Sequence, residues 1–182
     1  MPVAKRMPWK SFKEKHKSCT ACDLCKERSK VLLYRGAWDA DVLFIDESPN
    51  NFADAVGTVM GDSYGQLLDH ILEQSNLSSK SIGYSYLVCC KSEGSPKKPE
   101  IKACSSRFMQ MIHAVRPKVV VGLGKQSYAG LMVALDPERY QIHQMAHPGV
   151  IMRAGDVQQH VMKSKSLGLM NDINYWLDEN DG

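Results

Sequence analysis

The sequence predicts an α/β fold of three layers, with helices on both faces of a central parallel sheet. Three observations carry that expectation. Two short runs, Asp41-Val-Leu-Phe-Ile-Asp46 and Val119-Val-Val121, have the unbroken apolar character of strands buried on both faces. Stretches with helical spacing of apolar residues lie between and after them. Polar or glycine-containing turns follow each apolar run, and strands alternating with helices build a parallel sheet covered on both sides.

The elements follow in chain order. Residues 1–17 form a basic N-terminal segment, and 18–182 form the single domain. Asp41 to Asp46 is the first strand. Residues 47–63, rich in Asn, Gly, Asp and Ser, read as a long loop, and such loops commonly carry function. Tyr64 to Gln74 is a helix through Leu67, Leu68, Ile71 and Leu72. Tyr84 to Cys89 is a second strand, and Lys91 to Lys98, with Gly94 and Pro96, is a basic turn. Pro99-Glu100 opens a helix to Val115, because proline suits the first helical position and an acid suits the positive dipole end. Ile101, Phe108, Met111 and Ile112 supply its buried face.

Val119 to Val121 is the third strand, and Gly122-Leu-Gly124 turns into a helix over Ser127 to Val133. A fourth strand precedes His147, and Val157 to Leu177 is helical. Ligands of such sheets bind outside the carboxyl ends of the strands. The loop after Asp46, the turn after Cys90, Gly122 to Gly124 and His147 all lie at such ends and are expected to share one cleft.

At 182 residues the chain fits one core, and 43% hydrophobic with 24% charged residues describes a globular protein. No apolar run reaches the ~20 residues of a membrane span, and no signal-peptide core is present. A cytoplasmic monomer is the expectation. The net charge of +3 hides a division. Residues 1–30 hold nine Lys or Arg against three acids, and residues 91–118 hold seven against two. Residues 39–79 hold eight acids and no Lys or Arg. Two basic segments meeting on one face would suit a polyanion. Gly122-Leu-Gly124 lacks a complete dinucleotide fingerprint and no Walker loop is present, which argues against nucleotide-cofactor chemistry.

Cys19-Thr-Ala-Cys22 is a chelating pair, because one turn aims both thiols at a common point. Cys90 and Cys104 lie far downstream, with Cys104 on the helix opened by Pro99. Spacing alone leaves zinc, an iron–sulfur cluster and no metal open. Cys25 and Cys89 are spare, and Cys89, inside a strand, reads as a small buried hydrophobe.

An ordered set of motifs resembles the iron–sulfur class of the uracil-DNA glycosylase superfamily. It comprises Cys19 to Cys25, Ala40 to Pro49, Gly57, Gly65 to Leu68, Cys90, Pro99 to Cys104, Pro117 to Gly124, His147-Pro148 and Arg153. The resemblance implies a [4Fe–4S] cluster on Cys19, Cys22, Cys90 and Cys104, with zinc the alternative. It implies hydrolysis of the N-glycosidic bond of uracil or another modified base in a nucleotide flipped out of DNA. Glu47 and His147 match the catalytic acid and histidine, and Ser48, Pro49, Met60 and Tyr86 fall in the substrate pocket. Lys91, Lys97, Lys98 and Arg153 are the phosphate candidates, and Pro148 and Gly149 shape the loop that approaches the duplex. Partners would be DNA and repair or replication proteins, in the nucleoid or, for a phage-related protein, the host cytoplasm.

The departures concern the pocket. The family's Gly-Glu-Ala/Gly-Pro-Gly is here Asp46-Glu47-Ser48-Pro49-Asn50. The aromatic that stacks on uracil aligns with Met60, and the asparagine that reads its edge aligns with Tyr86. A phenol cannot reproduce the paired donor and acceptor of an amide. Two readings follow: a glycosylase of altered specificity, or an inactive DNA-binding, replication-associated module on the same scaffold.

Overall fold

The computed structural model describes residues 6–180. Five strands, β1 (Arg35–Gly36), β2 (Val42–Asp46), β3 (Ile82–Tyr86), β4 (Val119–Leu123) and β5 (Gln141–Met145), form one sheet in the order β1-β3-β2-β4-β5. The last four are mutually parallel, and β1 is an antiparallel edge on β3. The helices are α1 (Trp9–His16), α2 (Asn51–Val56), α3 (Ser63–Glu73), α4 (Lys98–Val115), α5 (Gly124–Ala134), α6 (Pro148–Arg153) and α7 (Asp156–Asn180).

The period-two alternation of strand side chains divides the core. Val42 and Phe44 of β2, with Val119, Val121 and Leu123 of β4, face α3, α6 and α7 through Leu68, Ile71, Ile151, Met170 and Ile173. Leu43, Ile45 and Val120 face the opposite layer, where α1, α4 and α5 contribute Phe12, Phe108, Met111, Ile112 and Leu131. This is the three-layer α/β/α arrangement the sequence implied. Among the described residues no helix is long and apolar enough to cross a membrane.

Three local differences from the sequence reading have physical causes. The loop 47–63 contains α2, started by Asn50, whose side chain accepts the Ala53 N–H at 2.9 Å. The strand expected over 84–89 lies at 82–86. Beyond it, the Leu87 and Val88 N–H groups donate to the Asp46 and Glu47 carbonyls, both at 2.9 Å. The bonding thus continues after regular pairing ends. Helix α1, within the basic N-terminal segment, packs Phe12 into the core, beside Trp38.

The chain leaves β2 for β3 on one side and β4 for β5 on the other. The order reverses between β2 and β4, and the crevice at their carboxyl ends is where such sheets bind ligands.

Candidate functional site at the carboxyl ends of the strands

A cleft of about 410 Å³ opens at this reversal. Asp46 ends β2, Tyr86 ends β3, Leu123 ends β4, and His147 follows β5, and all four line it. Glu47, Ser48, Pro49, Met60, Pro148 and Arg153 line it as well. The ends of β2, β3 and β4, the loop after Asp46 and His147 therefore meet in one cleft.

His147 is held from three directions. Its Nδ1 accepts the Gly149 N–H at 3.0 Å, so the ring proton belongs on Nε2. Nε2 in turn lies 3.2 Å from Asp46 Oδ2, an acceptor. Asp46 Oδ1 accepts the Glu47 N–H at 2.7 Å. Tyr64 stands edge-on to the ring with centroids 5.3 Å apart. On the remaining side is Gly124 at φ +88°, where an added Cβ would lie 3.1 Å from the His147 Cβ. Burial pushes the His147 pKa down, but the hydrogen bond and charge of Asp46, aided by Glu47, outweigh it against Arg153. The net shift is upward from 6.5.

The inner wall is Tyr86, only 2% exposed. Its hydroxyl accepts the Met60 N–H at 2.8 Å. Met60 itself sits at φ +50°, uncommon for a residue with a Cβ. Gly65 permits that crossing, since a Cβ there would lie 1.8 Å from the Met60 carbonyl oxygen. Burial raises the Tyr86 phenol well above its ordinary pKa, so it stays neutral.

The loop bearing Glu47 is clasped at both ends. The Asn50 amide donates to Asp62 Oδ2, while Asp62 Oδ1 accepts the Gly65 N–H at 3.0 Å and caps α3. Ser48 and Ser92 hydroxyls meet at 2.7 Å and join this loop to the basic turn. Glu47, half-buried, has no side-chain hydrogen bond among the described residues.

The basic turn flanks the cleft through Ser92, Gly94 and Ser95. Lys91, Lys97 and Lys98 do not line it, and Lys97 and Lys98 are exposed at the start of α4. Arg153, exposed at the end of α6, donates to the Tyr64 hydroxyl at 3.3 Å. Pro148 and Gly149 are buried in the first turn of α6, and Val150 and Met152 are its exposed apolar side chains.

Cys90 and Cys104 are buried against Leu24 and Val88, with Cys22 packed on them. Cys19, Cys22, Cys90 and Cys104 lie within electrostatic reach of one another, and burial pushes Cys90 up to about 12 against the pull of Arg28. Arg28 Nη2 donates to the Cys19 carbonyl at 2.6 Å, yet its Nη1 is buried without a partner. Among the described residues no three Cys, His, Asp or Glu side chains are arranged to hold a single metal ion. Cys89 is buried in the main core instead, with its thiol 3.9 Å from the Leu33 carbonyl.

Sequence reasoning missed Asp46, Asp62 and Tyr64 as site residues, and Arg28 beside the thiols. Asp46 carried a signal, since it is the acid that ends the apolar run of β2 at the carboxyl edge of the sheet. The contacts of the other three depend on tertiary packing that no local pattern records.

The family model described as the uracil DNA glycosylase superfamily matches residues 34–167. The chain is similar to a type-4 uracil-DNA glycosylase of Thermotoga maritima, 29% identical over 113 residues, or 61% of this chain and 59% of that one. One of Saccharolobus solfataricus is 29% identical over 114 residues, 61% of this chain and 53% of the relative. One of Archaeoglobus fulgidus is 26% identical over 110 residues, covering 59% and 55%. The chain thus spans between half and three fifths of the length of each of these relatives.

Proposed function

The chain belongs to the uracil DNA glycosylase superfamily, and from that premise we propose that it binds DNA and hydrolyses the N-glycosidic bond of a flipped-out nucleotide. The observation that carries this reading is the meeting of Glu47, whose carboxylate has no hydrogen bond among the described residues, with a positioned His147 in one cleft. A carboxylate there stabilises an oxocarbenium ion and accepts a proton from the attacking water. Water attacks C1′, the bond pair leaves with the base, and Glu47 takes the water proton. His147, fixed by Asp46 and Gly149, walls the cleft beside the base. Lys91, Lys97, Lys98 and Arg153 supply phosphate contacts, Pro148 and Gly149 set the loop beside the duplex, and Ser48, Pro49, Met60 and Tyr86 bound the base.

Cys19, Cys22, Cys90 and Cys104 would hold a [4Fe–4S] cluster. A tetrahedral zinc site brings its sulfurs within about 3.8 Å of one another, from Zn–S bonds of ~2.3 Å. Four thiolates drawn from segments at widely varied spacing suit the larger group. The buried, unpartnered Arg28 Nη1 fits it too, because four thiolates with their cluster carry net negative charge. Such a group would brace residues 19–28 against the start of α4.

A test is base release by mass spectrometry from DNA carrying single modified bases, with Glu47→Gln and His147→Ala as controls. Release that falls by about 10²-fold or more in either variant supports the reading. DNA binding without release from any substrate overturns it. The buried Tyr86 in the family's asparagine position favours one second reading, a replication-associated DNA-binding module.

A further inference from the structure

The donors around the cleft are turned inward. The Glu47 N–H goes to Asp46, the Met60 N–H to Tyr86, the Gly65 N–H to Asp62 and the Gly149 N–H to His147. The two His147 ring nitrogens are engaged by Gly149 and Asp46. A neutral base such as uracil departs as an anion and needs donors that strengthen as negative charge develops. These donors already serve protein acceptors.

What the cleft offers is negative charge. Asp46, Glu47 and Asp62 line it, and Arg153, already on Tyr64, is the lining residue with a permanent positive charge. The ring of Tyr64 adds an aromatic surface, which attracts cations. At about 410 Å³ the cleft has room for a bicyclic base despite the Tyr86 wall.

We infer that the cleft selects a base that is cationic before cleavage, the chemical class of N3- or N7-alkylated purines. This rests on the glycosylase reading. Such a base needs no acid to leave. Its glycosidic bond breaks with the electron pair passing to the ring nitrogen, which cancels the ring's positive charge. The sugar becomes an oxocarbenium ion, water adds its oxygen to C1′, and the water proton passes to Glu47. The products are a neutral alkylpurine, an abasic sugar and one proton. Asp46 is the specificity-determining residue: it adds negative charge toward the base and keeps the His147 Nε2–H away from it.

The experiment compares base release from otherwise identical duplexes carrying one 7-methylguanine, one 3-methyladenine or one uracil, with spontaneous depurination subtracted. Release of a methylpurine at least about tenfold faster than uracil is expected, the scale of one contact to a charged group. In Asp46→Asn the ratio of methylpurine to uracil release should fall by about tenfold or more, because the variant loses the negative charge and its single amide oxygen cannot serve both the Glu47 N–H and the imidazole N–H. A merely structural role for Asp46 would depress both substrates together and leave the ratio unchanged, which overturns the assignment of specificity to it. Release of uracil without methylpurine overturns the inference while the glycosylase reading stands. Release of neither, with the duplexes still bound, overturns the inference, and the glycosylase reading falls with it only when no other modified base is released either.

Discussion

Tyr86→Phe removes one oxygen and leaves the ring. The packing of a side chain only 2% exposed is therefore retained, and the change isolates the hydroxyl. That hydroxyl accepts the N–H of Met60 at 2.8 Å, and Met60 is itself 5% exposed. A buried N–H that loses its partner costs roughly 1–3 kcal/mol. Met60 also sits at φ +50°, a conformation that costs a residue with a Cβ roughly 1–2 kcal/mol and persists only where neighbours enforce it. Loss of the tether should therefore let the Met60 segment open locally. An opening free energy lower by 1–3 kcal/mol corresponds to exchange of the Met60 amide about 5–150-fold faster. Hydrogen exchange followed residue by residue is the assay, with the amides of β2 as the internal reference for global unfolding. A change at Met60 below about twofold would refute the reasoning, since that is within the range of substitutions touching nothing. An equal change in β2 would also refute it, by showing that the whole domain had lost stability instead.

Three further outcomes follow from the geometry. In Asp46→Asn the His147 pKa, followed by ring-proton NMR, should move down, because burial remains while the raising influence of the carboxylate is gone. The same pair makes stability pH-dependent with a definite sign: its contribution is full below the unfolded value of 6.5 and is lost as pH rises through the higher folded value, a loss absent from the variant in urea titrations. Gly124→Ala should lower base release by about tenfold or more, because its φ of +88° disfavours a side chain and the new Cβ would press on His147, and a small displacement of reacting groups is costly. On the proposed cluster, Arg28→Met should reduce iron and sulfide per chain and the visible absorption of anaerobically purified protein, because the positive charge beside Cys90 is removed.

Strands β2 and β4 were legible because every residue from Val42 to Ile45 and from Val119 to Leu123 is buried, which leaves an unbroken apolar run. Helix α4 was legible through Pro99-Glu100, a start signal that the capping of Lys97 by Glu100 confirms. Helix α2 was hidden, since only Ala53 and Asp54 of its six residues are buried while Phe52 is 59% exposed. Its cap, Asn50, was the available clue. Helix α1 buries only Phe12 and His16, too few for a pattern among three lysines and one acid. At the site, Glu47 and His147 were readable as members of ordered motifs. The Asp46–His147 contact joins residues 101 positions apart, and nothing local to either side announces it. The burial of Tyr86 followed from size alone in one respect: a phenol at the end of β3 had to fill space or point outward. Only the structure shows that it fills space and which N–H it serves.

Helix α2 carries one more attachment. The Asp54 carboxylate, itself buried, accepts the Ser29 N–H through both oxygens, at 2.8 and 3.0 Å. Ser29 directly follows Arg28, which reaches back to Cys19. The thiol-bearing segment and the loop that presents Glu47 are thus two ends of one mechanical linkage, with Asp54 as its pivot. Slack at the thiols reaches the cleft through two short hydrogen bonds and a six-residue helix, bypassing the sheet altogether.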